Sequence, residues 1–119
     1  IKLGIATEPK DLDKIIESRT RSMIKMGWLS EIEGLLREGF GPDSPGFRAI
    51  GYRTFSEHLS GNLELEGAIA STNAATRQYA KRQRTWLRSE PNLQMLPQAN
   101  GPSLGELAWS AISANIEGF

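Results

Sequence analysis

Hydrophobic positions recur at helical spacing along most of the chain. Over residues 10–27, Leu12, Ile15, Ile16, Met23 and Met26 fall on one face, which predicts a long amphipathic helix with that face inward. A second segment, from Trp28 to Glu38, repeats the pattern with Leu29, Ile32, Leu35 and Leu36 and stops at Gly39. Gly41-Pro42-Asp43-Ser44-Pro45-Gly46 is a turn-rich loop. A third helix is expected from Phe47 or Arg48 to Leu59, and a fourth, the longest, from about Glu64 to Arg88, with Pro91 beyond it. Residues 99–103 read as a linker. Leu104 to Ile116 reads as a terminal helix with Leu107, Ala108, Ala111 and Ile112 inward. Two short apolar runs lack this period. Ile1-Lys2-Leu3-Gly4-Ile5-Ala6 and Leu93-Gln94-Met95-Leu96 read as strands, and Thr7 as a helix cap with Pro9 in the first turn. The expected fold is mostly α with two short strands that belong to a larger sheet. Residues 1–97 form the main body, and 98–119 a linker and terminal helix. A start at Ile1, inside a strand and without Met, reads as a fragment of a longer chain.

Three places break the pattern. Arg19 falls in the middle of the first apolar face, where an unpaired guanidinium is costly to bury. It either snorkels to the helix edge, pairs with an internal carboxylate, or anchors an anion. Gly51 interrupts the third helix within Arg48-Ala49-Ile50-Gly51-Tyr52-Arg53, where glycine costs about 1 kcal/mol against alanine. It serves either close packing or close approach of a ligand. The third place is Thr76 to Arg88, with five cations and no acid in thirteen residues. On a helix, Arg77, Lys81, Arg84 and Arg88 form one stripe, with Tyr79, Gln83 and Trp86 roughly opposite and Trp86 expected as a core anchor.

Charge sharpens the last point. The chain carries 14 Lys and Arg against 14 Asp and Glu, and outside this strip the balance is 9 against 14. A basic stripe on an otherwise acidic protein suits a polyanion, and RNA phosphate is the natural candidate. The plainer alternative is a solvated helix face. The chain has no cysteine, which excludes disulfides and thiolate metal sites, and its one histidine, His58, argues against a histidine-based metal site or a Ser-His-Asp triad. No apolar run is long enough to cross a bilayer, and the opening residues do not read as a signal peptide. A cytoplasmic protein is expected.

Taken in order, Arg19 with Met23 and Gly27, the Gly51-Tyr52-Arg53 triplet, and Lys81-Arg82-Gln83-x-Thr85-Trp86 resemble the C-terminal part of bacterial tRNA dimethylallyltransferases, also called tRNA isopentenyltransferases. The resemblance runs from the first strand to about Leu96. It implies a parent with an α/β P-loop-kinase-like core and a helical insertion. That parent would transfer a dimethylallyl group from its diphosphate to N6 of adenine 37 of a tRNA, the base being flipped into a channel. It further implies that Arg19 contacts the donor diphosphate. The tRNA anticodon stem-loop would meet Arg48, Gly51, Tyr52 and Arg53, and then Arg77, Lys81, Arg82, Gln83, Arg84 and Arg88. Tyr52 would be available to stack on a base.

The chain departs from the family's pattern in four ways. Ile15 stands where the family usually has arginine, and Arg84 where it usually has an apolar residue. The Gly-x-x-x-x-Gly-Lys-[Ser/Thr] phosphate loop is absent, as is the acidic residue expected to act as base. The implied Mg2+ would be held mainly by the N-terminal half of such an enzyme, no catalytic or metal-binding residue is expected in this chain, and the chain alone should be inactive. Two other readings remain beside it: a non-catalytic helical RNA-binding module, and a helical module whose basic strip meets an acidic partner.

Overall fold

The structure is a computed structural model and describes residues 1–5, 8–97 and 102–116. In chain order the elements are strand β1 (Lys2–Ile5), helix α1 (Pro9–Lys25), helix α2 (Trp28–Arg37), a 3-10 turn (Pro45–Arg48), helix α3 (Tyr52–Leu59), helix α4 (Leu65–Ser89), strand β2 (Leu93–Leu96) and helix α5 (Pro102–Ile116). The cap expected at Thr7 and much of the linker expected over 99–103 lie outside the described residues. Two compact units emerge, Ile1–Leu12 with Arg82–Phe119, and Asp13–Lys81.

The unit of residues 13–81 holds the larger core. Trp28, Ile32, Phe47, Phe55, Ala68 and Ile69 are buried together. Gly27, at φ 110°, turns the chain from α1 into α2 and delivers Trp28 inward. Trp28 meets Phe55 edge-on at 4.9 Å between ring centres and Tyr52 at 5.8 Å, and Phe47 meets Tyr52 at 5.9 Å. Such edge contacts are the favoured aromatic geometry.

A polar network joins α1 to α4 in this unit. Thr20 Oγ1 donates to Asn73 Oδ1 at 2.6 Å, and Asn73 Nδ2 donates to Glu17 Oε2. Arg21 then bonds Glu17 through Nε at 2.7 Å and grips Glu66 with both terminal nitrogens, at 3.0 and 2.7 Å. Thr20 and Asn73 are buried, so their mutual bonding offsets the desolvation of both. His58 Nδ1 lies 2.8 Å from the Leu63 carbonyl, which assigns that nitrogen as the donor and ties α3 to the loop after it.

The inward face of α1 is rotated from the expected one. Ile16 and Thr20 are buried and Leu12, Met23 and Ile24 partly so, while Ile15 and Met26 are exposed. Arg19 therefore lies on an outer flank and not within a buried stripe. Helix α3 also starts later than expected. Pro45 imposes a short 3-10 turn, Ala49 leaves helical geometry at ψ 141°, and Gly51, at φ 97°, caps α3 from outside it.

In the other unit β1 and β2 form a two-stranded parallel sheet, with Lys2 opposite Leu93 and Ile5 opposite Leu96. Gly4, Leu96 and Ala111 are buried, and α5 packs on β2. A Cβ at Gly4 would meet Met95 Sδ at 2.7 Å, so a side chain there would push the Met95 side chain aside. Lys2 pairs with Glu90. Two inward expectations fail. Leu107 is exposed, and Trp86 is 60% exposed, because Leu87 and the half-buried Arg84 form the covered side of the last turns of α4. Trp86 lies about 100° around the helix from Leu87.

Candidate nucleic-acid interface

The Arg48–Arg53 segment is a bent connection that presents its charges and buries its glycine. Arg48 ends the 3-10 turn and is exposed. Gly51 is buried against Trp28, where a Cβ would come within 2.3 Å of Cη2. Tyr52 opens α3, half-buried, and its hydroxyl donates to Glu31 Oε1 at 2.8 Å. That bond and partial burial raise the phenol pKa. Tyr52 is thus a positioned ring and not a freely swinging one. Arg53 is exposed, and its Nε donates to the Pro42 carbonyl at 3.0 Å, which draws the loop onto the start of α3.

Helix α4 carries the remaining cations. Arg77 and Lys81 are exposed on its stretch within residues 13–81. In the other unit the same helix carries Arg82, Gln83 and Arg88, all exposed, and Arg84, half-buried. The expected stripe is present as spacing, with one of its four members partly covered. Lys2, Arg21 and Arg37 are spent on carboxylates. Among the described residues Arg48, Arg77 and Arg88 make no such pair, and neither does Arg19.

Arg19 lines an open groove along α1 with Lys14, Ile15, Ser18, Ser22, Met23 and Met26. Two cations, two hydroxyls and an apolar wall share that surface. Glu31, on α2, is the partner of Tyr52 that sequence reasoning missed. Nothing in its spacing marks it, since it lies among the ordinary polar positions of an amphipathic helix. The described residues contain no cluster of three or more His, Cys, Asp or Glu able to hold a metal. No helix of the described residues is long and apolar enough to cross a membrane.

The IPP transferase family profile matches residues 1–90. The chain belongs to this family. A tRNA dimethylallyltransferase of Thermosynechococcus vestitus is 48% identical over 81 residues, which is 68% of this chain and 26% of that one. Another, from a Picosynechococcus strain, is 38% identical over 113 residues, 95% of this chain and 37% of that one. Among solved structures, the full-length tRNA isopentenylpyrophosphate transferase of Bacillus halodurans superposes with a TM-score of 0.87 at 28% identity, covering 98% of this chain and 39% of that one. The chain therefore spans about a third of the length of the relatives it matches.

Proposed function

We propose that this member of the IPP transferase family supplies the tRNA-contacting part of a tRNA dimethylallyltransferase. In that reaction the dimethylallyl group passes from its diphosphate to N6 of adenine 37, and diphosphate leaves. The observation that supports this reading is the set of exposed arginines without acid partners at Arg48, Arg77 and Arg88. A neutral protein with as many acids as bases, which still leaves these cations uncompensated, keeps them for an external polyanion.

The roles follow from chemistry. Arg77, Lys81, Arg82 and Arg88 hold RNA phosphates, with Gln83 and Arg84 beside them on α4. Arg48, Arg53 and Tyr52 meet the loop, and Gly51 sets their geometry. Arg19 stabilises charge on the departing diphosphate, aided by Lys14 in the same groove. The share of this chain is recognition and donor anchoring. A phosphate loop, a general base and Mg2+ belong to other parts of such an enzyme, and the site of action is the cytoplasm.

The test is a titration of the chain with a labelled anticodon stem-loop at several salt concentrations. Binding should weaken steeply with salt, each phosphate contact contributing about 0.7–0.9 to the log–log slope. An Arg77→Ala, Lys81→Ala, Arg88→Ala variant should lose at least about tenfold in affinity and about 2 to 3 in slope. Equal affinity and slope in the triple variant would remove α4 from the interface.

A further inference from the structure

Among the described residues β1 has β2 on one side and no strand on the other. Parallel strands occur almost only inside larger sheets that are covered on both faces. A parallel sheet of two strands therefore lacks both neighbours and cover.

The missing cover lies over β1. Ile5 and Leu96 are register partners, and paired residues of a parallel ladder point to the same face. Leu96 is buried, while Ile5 is 53% exposed. Cover on this face reaches β2 and stops short of β1. Ile1, just before the strand and in step with Ile5, is exposed as well. The two edges differ in the same direction. Pro91 and Pro97 flank β2, and α5 packs on it. Prolines, bulges and outward lysines are the usual guards of a sheet edge. Strand β1 pairs without a bulge, contains no proline, and its one lysine, Lys2, is held by Glu90. Its outer edge is an unguarded row of backbone donors and acceptors beside an uncovered apolar face.

The occupant follows from how much of the fold lies elsewhere. The full-length Bacillus halodurans enzyme places 39% of its length on this chain, so most of that fold lies outside this chain's span. A second copy of the chain fits less well. Two β1 edges related by a two-fold axis would run antiparallel, against the parallel order already set by β1 and β2. We infer that the outer edge of β1, with the Ile1 and Ile5 side chains, docks the part of the IPP transferase fold outside this chain's span. That part adds a strand to β1 and covers Ile5. The inference rests on membership of the family and not on the RNA reading, so either can fail alone.

The test combines this chain with the part of the Bacillus halodurans enzyme on which it does not superpose. The two are produced together as separate polypeptides and, in a second sample, as one continuous chain in which this sequence replaces the superposed part. Light scattering should show a one-to-one complex of the separate polypeptides. Alternate residues of β1 point their amides away from β2, and these should exchange fast in the chain alone. They should slow at least about tenfold in the complex and in the joined protein. Ile5→Lys should leave the chain's own circular dichroism and melting unchanged, because that side chain is already more than half exposed. It should weaken the complex about tenfold or more, since the new charge is buried on docking. Trp109→Lys, at an exposed apolar position on α5, should not. Outward β1 amides as fast in the joined protein as in the chain alone overturn the inference, whether or not the separate polypeptides associate. Equal losses in the Ile5 and Trp109 variants overturn it too, since they mark general apolar adhesion. A homodimer of the chain that Ile5→Lys abolishes, with no complex formed, gives the edge to a second copy and also overturns it.

Discussion

Gly51 shows how one residue fixes the local backbone through packing. Its backbone sits at φ 97°, and the space a side chain would need is filled by the Trp28 ring, with Thr72 Cγ2 at 3.4 Å. Gly51→Ala should therefore cost about 2–5 kcal/mol, from left-handed strain of about 1–2 kcal/mol and overpacking of about 1–3 kcal/mol. Thermal denaturation followed by circular dichroism checks this, and an alanine variant as stable as the wild type would mean that Trp28 moves aside. Glycine was legible in the sequence as an oddity, and packing against Trp28 is the reason for it. Arg48, Arg53, Arg77 and Arg88 were also legible, because long cations outside an apolar stripe stay in water. Arg19 and Trp86 were not. Helix α1 turns inward the side that runs through Ile16, Thr20 and Ile24, and the polar Thr20–Asn73 contact at its centre is invisible to a count of apolar positions. Trp86 fails for a related reason. A large apolar side chain is a prior for burial, and the neighbouring Leu87 takes the covered position instead.

At the level of elements, α1 and α4 are joined through side chains that a hydrophobicity pattern does not register. Ala68, Ile69, Thr72 and Asn73 form the buried side of α4, and half of them are polar. The Arg21–Glu66 clamp closes this contact at the surface. It holds the Glu66 carboxyl below the ordinary carboxylate range and raises the Arg21 guanidinium, chiefly through their shared hydrogen bonds. A carboxyl with a depressed folded pKa stabilises at neutral pH, and that contribution is lost as pH falls through the folded value. Melting temperature should therefore drop between about pH 5 and pH 3, and drop less in Arg21→Ala. Both groups are exposed, so the difference should shrink as salt is added. A pH profile identical in the two proteins would show that the clamp contributes nothing to stability. Helix existence and rough extent were legible throughout, since the 3.6-residue period survives a few polar substitutions. The start of α3 was not, because Pro45 and Gly51 redirect the backbone by local dihedral limits that periodicity cannot sense.

Across the whole molecule burial is uneven. Residues 13–81 contain the aromatic cluster and the two largest fully buried side chains, Phe55 and Ile32. The other unit buries Gly4, Leu96 and Ala111, and leaves Ile1, Ile5, Met95, Trp109 and Ile116 exposed. Amide exchange should be slowest in α2, α3 and the first half of α4, and faster in β1, β2 and α5. Equal protection in the two units would show that they open only together. The two strands were legible individually, but their pairing was not, because two short apolar runs carry no record of partner or direction. That pairing has a temporal consequence. Lys2 meets Leu93 across nearly the whole helical unit, so at a synthesis rate of about 5–20 residues per second the second strand emerges roughly 5–18 s after the first. Helices and helix pairs close in far less time than that. The helical unit can thus be complete before β2 arrives to pair with β1, and the packing of α5 on β2 comes later still.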